Sequence, residues 1–174
     1  MERHNSPTPK SKTSAAFTLV ELLVVISIIA ILAGLSFPAV SGAMDSAKKT
    51  QAKSNAVQIA TAVSAYEMEY GKLPTFTGTT VDKTLVDILT TNDSRGIVFL
   101  EAQAWKKGKG GTNDKGYCDP WSSNTPYSIA LDTDYDNQVS VSTNGGASGS
   151  TSIMKKVGVW NVTTTNKYQV RSWD

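Results

Sequence analysis

"AAFTLVELLVVISIIAILAGLSFPAV" fills residues 15–40, and from Phe17 onward its only charged side chain is Glu21. A helix over residues 17–40 would be about 36 Å long at about 1.5 Å per residue, enough to cross a hydrocarbon core of about 30 Å. The run is longer than the roughly 7–15 apolar residues of a secretory signal, and no small-x-small cleavage site ends it. The stretch therefore predicts a membrane span, with the buried helix of a soluble core as the plainer alternative. Lys10 and Lys12 stand just before it. Positive charge flanking a span marks the cytoplasmic side, so the N-terminus is expected in the cytoplasm and everything after the helix outside.

Why a lone carboxylate stands there has two answers. Glu21 is near the helix end, so it can snorkel to the headgroups and be merely tolerated. Alternatively it awaits a cation, since intramembrane charges normally have partners. Cleavage between Ala16 and Phe17 would make one: a new α-amine with an ordinary pKa of about 7.7–8.0. In a bundle of staggered identical helices, the amine of one subunit would meet Glu21 of the next and fix their axial register. On that reading Glu21 serves assembly and not catalysis.

Composition narrows the alternatives. The chain has 174 residues, room for one small domain beside the apolar stretch, and a net charge of +2. The segment before the span holds Arg3, Lys10 and Lys12 against Glu2, which accounts for that whole net charge. No broad basic surface for nucleic acid is implied. Cys118 is the only cysteine, so no intramolecular disulfide can form. His4 is the only histidine and lies in the leader, so processing would leave no Ser-His-Asp or Cys-His arrangement. With no Gly-rich phosphate motif either, the sequence predicts no enzyme.

"FTLVELLVVISIIAIL" after a short basic leader resembles the N-terminal signature of the type IV pilin and pseudopilin superfamily. The resemblance implies cleavage by a prepilin peptidase before Phe17, N-methylation of Phe17, and an assembly role for Glu21. Pro38 falls where helices of that superfamily commonly carry a kinking proline, and Gly34 lies nearby. Where the family usually has glycine before the cut, this chain has Ala16. The implied fold is α+β: a long N-terminal helix whose outer half packs against a small antiparallel sheet. The expected divisions are a leader over 1–16, a transmembrane half-helix over 17–40, an outer half over 41–71 and an external domain over 72–174.

Beyond Pro38, Val40, Met44, Ala47, Ala52, Ala56, Ile59, Val63, Tyr66 and Tyr70 recur mostly every three or four residues, the spacing of one helix face. Gly71 and Pro74 supply stop signals, and "YGKLP" resembles the helix end of the major pseudopilins of type II secretion. Asp45, Lys48, Lys49 and Lys53 read as a solvated face or as contacts between neighbouring subunits. Residues 81–90 predict a short helix, and 106–116, "KKGKGGTNDKG", a loop whose lysines are at most a weak anion signal. Alternation at period two predicts strands over 127–132, 137–142, 155–160 and 167–173, with 143–152 a flexible link. "CDPWSSNTPY" resembles the "DPWGNPY" turn of major pseudopilins, with one extra residue; Trp121 would cap the core.

"DTDYDN" places Asp132, Asp134, Asp136 and Asn137 between two predicted strands. Alternating carboxylates can supply part of the six to eight oxygens that Ca2+ needs. The same residues also favour a plain polar turn. The calcium loop of the major pseudopilins, "S-x-G-x-D-G" before the last strand, has no counterpart here: no acidic residue stands between Val157 and Trp173.

The resemblance implies a subunit of a periplasmic pseudopilus in type II protein secretion. Its partners would be further copies in a helical filament, the prepilin peptidase, an inner-membrane assembly platform, minor pseudopilins and membrane lipid. A surface type IV pilus for adhesion, motility or DNA uptake is the alternative, disfavoured by the missing C-terminal cysteine pair. A periplasmic domain merely tethered by its helix is the third.

Overall fold

The computed structural model describes residues 17–90, 95–142, 150–162 and 168–173. The first helix, α1, is Leu19–Tyr70, 52 residues. The chain divides into two compact units, residues 1–42 and 43–174.

In the first unit, every described side chain of α1 up to Ser36 is exposed. Among the described residues, nothing covers Phe17, Leu19, Val20 and the leucines, valines and isoleucines up to Leu35. A helix that is apolar on all sides needs lipid or other helices around it. The polar groups are arranged accordingly. Ser27 Oγ donates to the Leu23 carbonyl and Ser36 Oγ to the Leu32 carbonyl, each at 2.8 Å, so neither hydroxyl needs water.

The second unit begins within α1 and has its own core. Ala52, Ala56, Ile59, Ala62 and Val63 are at most 2 % exposed and make one stripe of the helix. The stripe expected from the sequence is thus shorter than read: Val40, Met44 and Ala47 are exposed. Helix periodicity does not say where the covering layer stops, and here it stops at the turn over residues 105–110. Gly71 ends the helix at φ 67° and donates its N–H to the Glu67 carbonyl at 2.8 Å, the left-handed C-terminal stop that glycine favours.

Helix α2 is Lys83–Thr90; Asp82 caps it by accepting from the Leu85 N–H at 3.0 Å, and Leu85, Val86 and Leu89 are buried. The strands are β1 (Gly111–Asn113), β2 (Gly116–Cys118), β3 (Ser128–Leu131), β4 (Val139–Ser142), β5 (Ser150–Ile153) and β6 (Val157–Trp160). They form three two-stranded antiparallel sheets, β1 with β2, β3 with β6 and β4 with β5. The β3–β6 pair is extended on both sides by irregular chain. Thr80 bridges Ser128 on one edge, and Arg171 bridges Trp160 on the other. The strand expected over 167–173 is reduced to that single bridge among its described residues, with Ser172 N–H donating to the Val159 carbonyl.

Two further expectations change. Residues 111–113 and 116–118 are strands within and beside the segment read as a loop, because its glycines serve close approach. A β-carbon on Gly111 would overlap the Gln103 carbonyl, and one on Gly116 the Val81 carbonyl, with φ at 133° and 131°. The segment read as a flexible link ends in β5, whose pairing with β4 overrides its Ser and Thr composition. Residues 143–149 of that link lie outside the described residues.

Tyr127 locks the sheets to the helix. It is fully buried, and its hydroxyl donates to the Ala52 carbonyl at 3.2 Å, 75 residues away in sequence. Burial pushes the phenols of Tyr127 and Tyr117 above the ordinary tyrosine value of about 10, Tyr127 further. A raised folded-state value means the unfolded chain loses these protons first. Stability is therefore complete below about pH 10 and falls as pH rises beyond it. Chemical denaturation of the full chain in neutral detergent should show a midpoint that is flat from pH 7 to 9 and drops above about pH 10. Tyr127→Phe should flatten part of that drop while costing about 0.5–1.5 kcal/mol at neutral pH for the lost hydrogen bond.

Candidate functional site

Phe17 is 77 % exposed at the start of the described chain, and Ala16, its partner in the expected cleavage, lies outside the described residues. Thr18 is the N-cap of α1 and Glu21 its third helical residue. Glu21 Oε2 accepts from the Thr18 N–H at 2.8 Å and from the Thr18 hydroxyl at 2.9 Å. The Glu21 N–H donates back to Thr18 Oγ1 at 3.2 Å. This reciprocal pattern is a capping box. Its signature, T-x-x-E before an apolar run, stands in the sequence, where the reading of Glu21 as a lone charge passed over it. Capping satisfies orphan backbone donors at a helix start and leaves the carboxylate able to accept more, since an ionised carboxylate offers about four lone-pair sites. Capping and ion pairing are therefore compatible. Pro38 lies within α1; its side chain is outside the description.

The turn between β3 and β4 is organised by Asp132, which is 2 % exposed. Its Oδ1 accepts from the Asp136 N–H at 3.1 Å and its Oδ2 from the Asn137 N–H at 2.8 Å. Asp136 Oδ1 accepts from Gln138 N–H at 2.7 Å, and Tyr135 and Asn137 adopt φ of 60° and 62°. Asp132, Asp134 and Asp136 bring one carboxylate oxygen each within 4.8 Å of one another; Asn137 joins through its backbone. Asp134 and Asp136 are exposed, and these hydrogen bonds account for the turn by themselves.

The "DPW" turn is structural too. Asp119, 5 % exposed, accepts from Trp121 N–H at 2.9 Å and Ser122 N–H at 2.8 Å. Its other oxygen takes a 3.3 Å bond from Asn161 Nδ2, and Asn161 holds Tyr168 O and Val170 N. Trp121 packs on the core and against Tyr168, ring centroids 5.2 Å apart. Cys118 is buried, and burial pushes its thiol up, which leaves little thiolate near neutral pH.

The prokaryotic N-terminal methylation motif matches residues 11–37. The chain carries a type IV pilin-type start. That motif covers 27 of the 174 residues; it indicates a start of the type IV pilin and pseudopilin kind and implies processing by a prepilin peptidase and pilus assembly. Comparison of the whole chain with curated proteins and with solved structures finds no match. The apolar half of α1 is the one candidate span among the described residues and is consistent with a membrane-anchored pilin.

Asp132→Ala should lower stability in EGTA by about 1–3 kcal/mol, since it removes the buried carboxylate that accepts from the Asp136 and Asn137 amides. Asp134→Asn with Asp136→Asn should cost under about 1 kcal/mol in EGTA. Thermal melts of the three chains, repeated with calcium, check both. A rise in Tm on adding calcium, present only in the unsubstituted chain, would assign the three carboxylates a metal.

Proposed function

We propose that the protein is a subunit of a periplasmic pseudopilus in type II protein secretion. The observation that carries the filament part is the all-round exposure of the apolar half of α1. Its one charge is already tied into the helix start, one turn from the processing point. The "DPW" turn, built as a buried anchor for the C-terminal segment, supports the pseudopilus branch over a surface pilus. The parts take these roles: residues 1–16 are the leader, 17–40 the span, 41–71 the outer half-helix and 72–174 the periplasmic domain.

The peptidase cuts between Ala16 and Phe17, and Phe17 is then methylated. While the subunit waits in the inner membrane, the capping box lets an ionised Glu21 sit at the cytoplasmic headgroups. On assembly, Glu21 takes the α-amine of a neighbouring Phe17 as a further donor, and this pair sets the axial register. Pro38, which has no N–H to give, lets the helix loosen locally as subunits pack. The assembly platform and minor pseudopilins supply the site and the start of growth.

Coexpression with a prepilin peptidase should yield an N-terminal peptide beginning at N-methylated Phe17 by mass spectrometry. Glu21→Ala should still be cut and inserted but should give at least about tenfold less sheared filament, about 1.4 kcal/mol or more per subunit contact. An intact leader would break the account at its first step. Normal filaments from Glu21→Ala would remove the pairing and leave the cap alone.

A further inference from the structure

A cleft of about 220 Å³ is lined by the outer half of α1, the chain over residues 101–103 and the residues around β1 and β2. Every residue lining it belongs to the second unit. Its buried members are Asn55, Gly110 and Tyr117. Gln51 Nε2 donates to Asn55 Oδ1 at 2.9 Å, and Asn55 Nδ2 donates to the Lys109 carbonyl at 3.1 Å. A β-carbon on Gly110 would stand 2.8 Å from the Cys118 carbonyl and 3.0 Å from Asn55 Nδ2, with φ at 73°. Only glycine fits there, and the cleft wall is fixed in place. Tyr117 is 4 % exposed, and its hydroxyl makes no hydrogen bond among the described residues. A buried hydroxyl of that kind calls for a partner from outside the chain.

The exposed members are uncommitted as well. Glu101 and Lys109 carry opposite charges, and neither is ion-paired among the described residues. The Gln103 carbonyl is held by the Thr112 N–H at 2.8 Å and the Thr112 hydroxyl at 3.0 Å. Its carboxamide makes no hydrogen bond among the described residues. Gln51 and Gln58 use Nε2 within α1, on Asn55 and Ser54, which leaves each Oε1 for another donor.

We infer that this cleft binds a free α-amino acid with a polar side chain. The inference rests on neither the span nor the filament. The volume lies below the roughly 300–1,000 Å³ of sites for drug-sized ligands and holds about seven waters at about 30 Å³ each, so the ligand is small. A simple anion would answer Lys109 and leave Glu101 unmatched; a simple cation would do the reverse. A neutral polyol would cover both charges and pair neither, which is costly wherever water is displaced. A zwitterion answers both, its ammonium with Glu101 and its carboxylate with Lys109. The carboxamides and the Tyr117 hydroxyl offer donors and acceptors together. They suit a ligand side chain that does the same, a carboxamide or a hydroxyl. A few convergent polar groups of this sort fix a ligand's orientation and give specificity.

The test is a saturation-transfer NMR titration of L-glutamine with the full chain in micelles of neutral detergent. The expected result is saturable binding with Kd below about 1 mM, a modest demand on a ligand of about ten heavy atoms. L-Glutaminamide, which lacks the carboxylate, and N-acetyl-L-glutamine, which lacks the ammonium, should each bind at least about tenfold more weakly. Lys109→Gln should remove the preference over the amide, and Glu101→Gln the preference over the N-acetyl compound. Both positions are exposed, so both variants should keep the parent Tm within a few degrees. Tyr117→Phe, with its fold checked by circular dichroism, should weaken glutamine binding by about threefold or more. Absence of saturable binding overturns the inference, as does equal binding of the three compounds. Glucose binding as tightly as glutamine would make the cleft a site for neutral hydroxyls and overturns it too. Unchanged binding in the chain carrying both Glu101→Gln and Lys109→Gln would put the ligand somewhere other than this cleft, with the same consequence.

Discussion

An α-helix closes its backbone hydrogen bonds within itself, and this lets α1 carry two kinds of surface in succession. In hydrocarbon no outside partner exists for an N–H or C=O, so only such a segment survives there. The same property frees the side chains to be chosen by surroundings alone. Residues 17–36 are apolar on every side, with their few hydroxyls bonded back to the helix. From Ala52 onward one stripe is buried and most of the rest is polar, Val57 and Met68 excepted. The backbone ladder does not change where the solvent does; the side chains do.

The second unit depends on that stripe in turn. Its sheets are each two-stranded, too small to hold a core without another element. Alanine at 52, 56 and 62 lets other groups come close to the helix, and Tyr127 uses that closeness to reach the Ala52 carbonyl. Buried polar residues do the work a disulfide would do elsewhere. Asn55 ties the 105–110 turn to α1, and Asp119 with Asn161 ties the C-terminal segment to the "DPW" turn. Each is a buried group with its partners in place, so each specifies one arrangement. With Cys118 unable to pair within the chain, these bonds hold the small domain together without a disulfide.

What was legible in the sequence follows the same division. The apolar run, the helix length and the stop at Gly71 rest on local chemistry, and they appear where the pattern puts them. Strands β3, β4 and β6 are likewise marked by alternation, trimmed by one or two residues. The misses are of another kind. Gly111 and Gly116 look like loop glycines, yet they are needed because chain from residues 81 and 103 passes over them; no local pattern records that. Ser150–Ile153 becomes a strand only because β4 offers it a ladder. At the helix start the cap was written locally, in Thr18 and Glu21, and was hidden by attention to charge.

That cap changes how the lone carboxylate should be weighed. The cost of an ionised group in lipid is measured against having no partner, and Glu21 is never in that state. Two Thr18 donors hold it at 2.8 and 2.9 Å before any neighbour arrives. In the assembly proposed above, a second subunit would therefore add a donor to a group already satisfied and would not rescue a bare charge. The gain on pairing is correspondingly smaller. In the assembly proposed above, Thr18 would limit that gain, and a new terminus at Phe17 would set where it is found.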